Sequence, residues 1–199
     1  PRHARLEDLP QGAVVGTSSL RRQVLLHALR PDLRIEPLRG NVNTRLRKLD
    51  EGQYAAIVLA AAGLKRLGLG DRIRSTFQPE QMLPAAGQGA LAIEVRADRQ
   101  DLLQGLAPLA DQSTWLTVTA ERAVSRAMGG SCSMPLAAHG QWQGQTLRLA
   151  AAWGDLSGRS PLVRAAGEAT VTTLQEADAL GLRVAARLQA HGAVAEPGA

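Results

Sequence analysis

Residues 13–67 alternate between short apolar runs and amphipathic stretches, and this alternation constrains the fold more than any other feature of the chain. Ala13-Val14-Val15-Gly16 reads as a buried strand. Thr17-Ser18-Ser19 then supplies capping hydroxyls for a helix with Leu20, Val24, Leu25 and Leu29 on one face. Pro31 ends that helix. A second strand is predicted over residues 34–38, where Pro37 marks an edge or a strand end. Val42, Leu46 and Leu49 mark a second helix stopped by Gly52. Residues 55–60 read as a buried third strand and residues 61–67 as a third helix. Strand and helix in strict alternation specify an open α/β sheet.

The second half changes character after Leu83-Pro84-Ala85-Ala86-Gly87-Gln88-Gly89, which reads as a crossing between domains. A strand is predicted over residues 90–95, a short helix over 100–106 and a long helix over 114–128 that stops at Gly129-Gly130. Residues 147–153 and 162–167 are strand candidates. A last amphipathic helix over 174–188 places Leu180, Val184 and Leu188 on one face. Together these elements make a small α+β domain.

Charge is concentrated in one segment. Residues 13–75 hold twelve Lys or Arg against five Asp or Glu, whereas the rest of the chain is slightly acidic despite an overall net charge of +5. In an open α/β sheet, ligands gather at the carboxyl ends of the strands, where the following helices point free N–H groups outward. Each basic motif falls at such a place: Arg21 and Arg22 after the first strand, Arg39 and Arg45 after the second, Lys65 and Arg66 after the third. Any one of these side chains could be an ordinary solvated helix face. Their convergence on one rim points instead to an anionic ligand. Nucleic acid is disfavoured, because aromatic residues make up 3% of the chain and leave few platforms for base stacking.

A single cysteine, Cys132, excludes an intramolecular disulfide framework and a cysteine-rich zinc site, and no metal is expected. It lies in the loop Gly129-Gly130-Ser131-Cys132-Ser133-Met134-Pro135, where a thiol can serve as an attachment point or pack as a small hydrophobe. No apolar run approaches the roughly 20 residues needed to span a bilayer. A soluble cytoplasmic protein is expected, with no membrane partner.

Five motifs occur in order over most of the chain: Gly16-Thr17-Ser18-Ser19-Leu20-Arg21-Arg22-Gln23, Leu38-Arg39-Gly40-Asn41-Val42-Asn43-Thr44-Arg45-Leu46, Ala62-Gly63-Leu64-Lys65-Arg66-Leu67-Gly68, Pro84-Ala85-Ala86-Gly87-Gln88-Gly89, and Ala120-Glu121-Arg122-Ala123 with Gly129-Gly130-Ser131-Cys132. The chain thereby resembles the porphobilinogen deaminase (hydroxymethylbilane synthase) family of tetrapyrrole biosynthesis. The resemblance implies a covalent dipyrromethane cofactor held by a thioether to Cys132. Four porphobilinogen units are added to it with loss of ammonia, and water releases the linear hydroxymethylbilane. It also implies that Arg21, Arg22, Arg39, Arg45 and Arg66 bind cofactor and substrate carboxylates. Thr17, Ser18, Ser19, Gly40 and Gln88 would supply polar and backbone contacts.

The implied fold is a periplasmic-binding-protein-like, doubly wound α/β domain over residues 1–88, followed by a returning segment over 89–110 and an α+β C-terminal domain over 111–199. Family members carry a further N-terminal domain with the catalytic aspartate. No residue here matches that aspartate, so a fragment is expected. It should be inactive alone and able to self-associate through residues 90–95, whereas the full-length protein is expected to be a monomer. The competing reading is a non-enzymatic module of periplasmic-binding-protein type for small anions.

Overall fold

Strand β1 (Val14–Gly16) is the middle strand of a three-stranded parallel sheet, flanked by β2 (Arg34–Glu36) and β3 (Ala56–Ile57). These assignments come from a computed structural model that describes residues 3–130 and 134–195. The central position explains the apolar run: Val15 pairs with Ile35 on one side and Ala56 on the other and is buried. β2 is an edge strand that ends just before Pro37, as its proline requires. β3 is shorter than the expected 55–60 run, and residues 54–59 are half-buried rather than buried. As an edge strand it has one neighbour, so only one side of its ladder is covered.

Helix α1 (Leu20–Leu29) begins at Ser19, whose hydroxyl accepts from the Arg22 N–H. Its buried apolar side chains are Val24, Leu25 and Leu26, and Leu29 is exposed, which corrects the face expected from the sequence. The strands are two or three residues long, so the last turn of a ten-residue helix runs beyond the sheet that would cover it. Asn41 caps α2 (Val42–Asp50) by accepting from the Thr44 N–H, and the N–H of Gly52, at φ 78°, bonds the Leu49 carbonyl after its end. Helix α3 (Ala61–Arg66) follows β3 directly.

The chain divides into two compact units, Pro1–Met82 with Gly154–Leu162, and Leu83–Trp153 with Val163–Ala199. In the second, an antiparallel sheet of β4 (Leu136–Gln143), β5 (Thr146–Trp153) and β6 (Val163–Thr170) packs against α5 (Gln112–Ala127) and α6 (Leu174–Ala190). Val124, Met128, Leu147, Leu149, Leu180, Val184 and Leu188 form its fully buried centre. The two helices approach closely at Gly181, where a Cβ would stand 2.3 Å from the Ala120 carbonyl oxygen and 2.5 Å from the Ala123 Cβ. Thr173 and Glu176 cap α6 reciprocally.

Helix α4 (Gln100–Leu106) forms where the sequence predicts it. Residues 90–95 do not form the predicted strand. No strand pairs with them among the described residues, and Leu91 and Ile93 are 90% and 61% exposed. Among the described residues no helix is long and apolar enough to cross a membrane.

Candidate carboxylate-binding site

The carboxyl end of the parallel sheet gathers polar and basic side chains from three successive connections. Thr17 leaves β1 buried, with its N–H on the Glu36 carbonyl and its Oγ1 accepting from the Ser19 N–H at 3.3 Å. Ser18 bridges to the segment after β2: its Oγ donates to the Leu38 carbonyl at 2.9 Å and accepts from the Leu38 N–H at 3.0 Å. Two loops that each carry predicted site residues are therefore tied together by one hydroxyl.

The arginines stand on this frame. Arg21, in the first turn of α1, is 8% exposed. Burial pushes its pKa down to about 10, with the neighbouring Arg22 charge adding to the effect. Arg22 donates from Nη1 to the Val58 carbonyl at 3.0 Å, which brings it to the end of β3. Burial lowers its pKa too, and the Arg45 charge lowers it further. Arg45, one turn into α2, donates from Nε to the Gly40 carbonyl at 2.7 Å. Gly40 sits at φ 117°, a left-handed conformation that disfavours any residue with a Cβ. The structure thus brings Arg22 close enough to Arg21 on one side and to Arg45 on the other for their charges to interact.

The remaining predicted residues are less closely joined. Arg39 is exposed, and its carbonyl accepts from Lys48 Nζ at 3.5 Å. Arg66 is exposed at the far end of α3, about 8 Å of helix from the strand end. Gln88 belongs to the second unit, on a turn where its Oε1 accepts from the Ala85 N–H. Cys132 lies outside the described residues.

Arg30, Arg34, Arg47, Arg72, Arg96, Arg99 and Arg126 each have an Asp or Glu within ion-pair distance. Arg22, Arg39, Arg45 and Arg66 have none among the described residues. Charge pairing alone does not mark the predicted arginines, since Arg74, Arg122, Arg148, Arg159, Arg164, Arg183 and Arg187 also have no ion pair among the described residues. What sets Arg21, Arg22 and Arg45 apart is their grouping and partial burial at one strand end. Clustered, partly desolvated guanidinium groups without internal carboxylates are suited to carboxylates from outside, which they can take bidentately. By contrast, a cavity of about 260 Å³ between α1 and residues 154–162 is lined by Gln23, Val24, His27 and Pro161 among others, and by none of the predicted site residues.

Comparison with known proteins places the chain in a family. The family model described as porphobilinogen deaminase, dipyromethane cofactor binding domain, matches residues 1–104, and the one described as porphobilinogen deaminase, C-terminal domain, matches residues 115–190. The chain belongs to the porphobilinogen deaminase family. It is 68% identical over 188 residues to the porphobilinogen deaminase of Albidiferax ferrireducens, covering 94% of this chain and 60% of the relative. It is 59% identical over 192 residues to that of Ralstonia nicotianae, covering 96% and 57%. With that of Burkholderia thailandensis it shares 55% identity over 191 residues, covering 96% and 58%. The chain therefore spans about three-fifths of the length of the porphobilinogen deaminases it matches.

Two supports of the predicted residues are not signalled by the motifs. The Val58 carbonyl orients Arg22, a role that no residue type could have signalled because it belongs to the backbone. The motif Ala120-Glu121-Arg122-Ala123 contains Glu121 without marking it as a support. Its signal was available: an acid beside Leu116, Ala120 and Val124 on the apolar face of α5.

Proposed function

We propose that this chain is the greater part of a porphobilinogen deaminase, acting in tetrapyrrole biosynthesis as a transferase that condenses four porphobilinogen molecules into hydroxymethylbilane with release of ammonia. The observation that carries the reading is the cluster of Arg21, Arg22 and Arg45 at the sheet rim. Two of its members have no carboxylate partner among the described residues. Cofactor and substrate pyrroles bear acetate and propionate groups, so a lengthening chain brings more carboxylates to such a rim. A hydrogen bond to a charged group contributes about 1.5–3 kcal/mol.

Arg21, Arg22 and Arg45 hold the first carboxylates, and Arg39 and Arg66, exposed after β2 and at the end of α3, take later ones. Thr17, Ser18 and Ser19 hold the loop that presents these arginines, Gly40 orients Arg45, and Gln88 adds a polar contact. Attached to the Cys132 sulfur, dipyrromethane supplies the pyrrole end to which incoming units join. The guanidinium set fits such a polycarboxylate, and its members stay cationic at neutral pH even where burial lowers the pKa. The first unit is read as a periplasmic-binding-protein-like, doubly wound domain, a reading supported by the parallel order β2-β1-β3. Over the whole chain, residues 1–88 and 111–199 are read as two domains, with 89–110 a returning segment between them in sequence and the exposed site of self-association.

The test is the intact mass of the chain after production with the cofactor precursor. The wild-type chain, or a full-length enzyme bearing it, should carry the mass of dipyrromethane, and Cys132→Ser should not, because a serine hydroxyl is a far poorer nucleophile than a thiolate. The 199-residue chain alone should not turn over porphobilinogen. Cofactor retained on Cys132→Ser would overturn the assignment of the thiol.

A further inference from the structure

Glu121 is a buried acid to which the proposed chemistry gives no task. It stands in the middle of α5 at 4% exposure, where a carboxylate is stable only with good hydrogen-bond donors. It has them. Oε2 accepts from the Gly87 N–H at 2.6 Å and Oε1 accepts from the Gly140 N–H at 2.8 Å, with His139 Nδ1 3.5 Å from Oε1. All of these residues belong to the second unit.

Gly87 is the residue before Gln88, and its φ of 72° places it in the left-handed region. The turn it belongs to closes on itself through the Gln88 N–H to the Ala85 carbonyl at 3.0 Å and the Ala85 N–H to Gln88 Oε1 at 3.2 Å. It is fixed from outside at two points, by the Ala138 N–H on the Pro84 carbonyl at 3.1 Å and by Glu121 on Gly87. Glycine at 140 lets β4 lie close against α5: a Cβ there would come within 2.8 Å of Thr117 Cγ2. A single side chain therefore binds a sheet strand and a functional turn to the same helix.

We infer that Glu121 is a positioning residue, whose carboxylate clamps the Gly87 turn to α5 and β4 and so sets where Gln88 stands. The inference rests on the proposed reading of Gln88 as a ligand contact. It assigns the carboxylate no proton transfer. Its role is geometric and depends on having two acceptor oxygens, which glutamine lacks.

Two measurements test it. In amide hydrogen exchange on the 199-residue chain without ligand, Glu121→Gln should speed exchange in the residue 84–89 turn by about tenfold or more. Glu121→Asp, which keeps the charge on a shorter stem, should lie between wild type and Gln, and it serves alone if Glu121→Gln does not fold. In a full-length enzyme carrying this sequence, Glu121→Gln and Gln88→Ala should each raise KM for porphobilinogen. The double variant should be no worse than Gln88→Ala, because one residue acts through the other. Unchanged exchange at the turn, or KM effects that multiply, would overturn the clamp. Faster exchange with an unchanged KM in Gln88→Ala would uphold the clamp and overturn the assignment of Gln88.

Discussion

Arg21 and Arg45 are where side-chain chemistry bears most directly on function. Arg21 is nearly buried beside a second cation, and both burial and that charge weigh against its charged form. Replacing Arg21 or Arg45 by Leu in a full-length enzyme should therefore lower cofactor assembly or chain elongation by roughly 10- to 100-fold while leaving the melting temperature almost unchanged. Lys at either position should rescue only in part, because the bidentate fork is lost. Because carboxylates bind the charged form, the contribution of Arg21 should fade as pH rises through about 10. Unchanged turnover in both Leu variants would refute the role. These residues were legible because helix periodicity and strand ends place them without knowledge of the fold. Glu121 was not, since one of its partners is 34 residues away in sequence and both are backbone N–H groups.

At the level of elements, the close approach of α5 and α6 depends on the missing side chain of Gly181. In an exposed helix Gly→Ala gains about 1 kcal/mol of helix propensity. Here the Ala120 carbonyl oxygen belongs to the backbone and cannot turn aside, so the helices must separate. Gly181→Ala should lower the unfolding free energy by about 1–3 kcal/mol in denaturant titration, and a gain in stability would contradict the packing described. Helices α1 to α6 were readable from apolar spacing and capping residues, with ends displaced by no more than about two residues. Strand β4 was not. Its Ala-His-Gly-Gln-Trp-Gln sequence has no β-branched residue, and it is a strand because β5 pairs with it along its whole length across a tight turn at Gly144. The third strand was overextended for the opposite reason, since an apolar run says nothing about how many neighbours a strand will have.

Across the whole molecule, the basic surplus lies in the first unit and the large apolar centre in the second, a division that composition alone suggested only through the charge. Residues 90–95 have the apolar composition of a strand, but a strand needs a second one to pair with, and none meets it among the described residues. With Leu91 and Ile93 exposed and no ladder holding the backbone among the described residues, residues 90–95 are open to a protease. Limited digestion of the 199-residue chain with an enzyme that prefers bulky apolar residues should cut there first, ahead of any bond within α5 or α6, as mass spectrometry of the early products can establish. Production of this chain in cells would then be governed at this stretch: its yield would depend on how quickly proteases find an open strand, and a partner that paired with it would act as a shield against degradation.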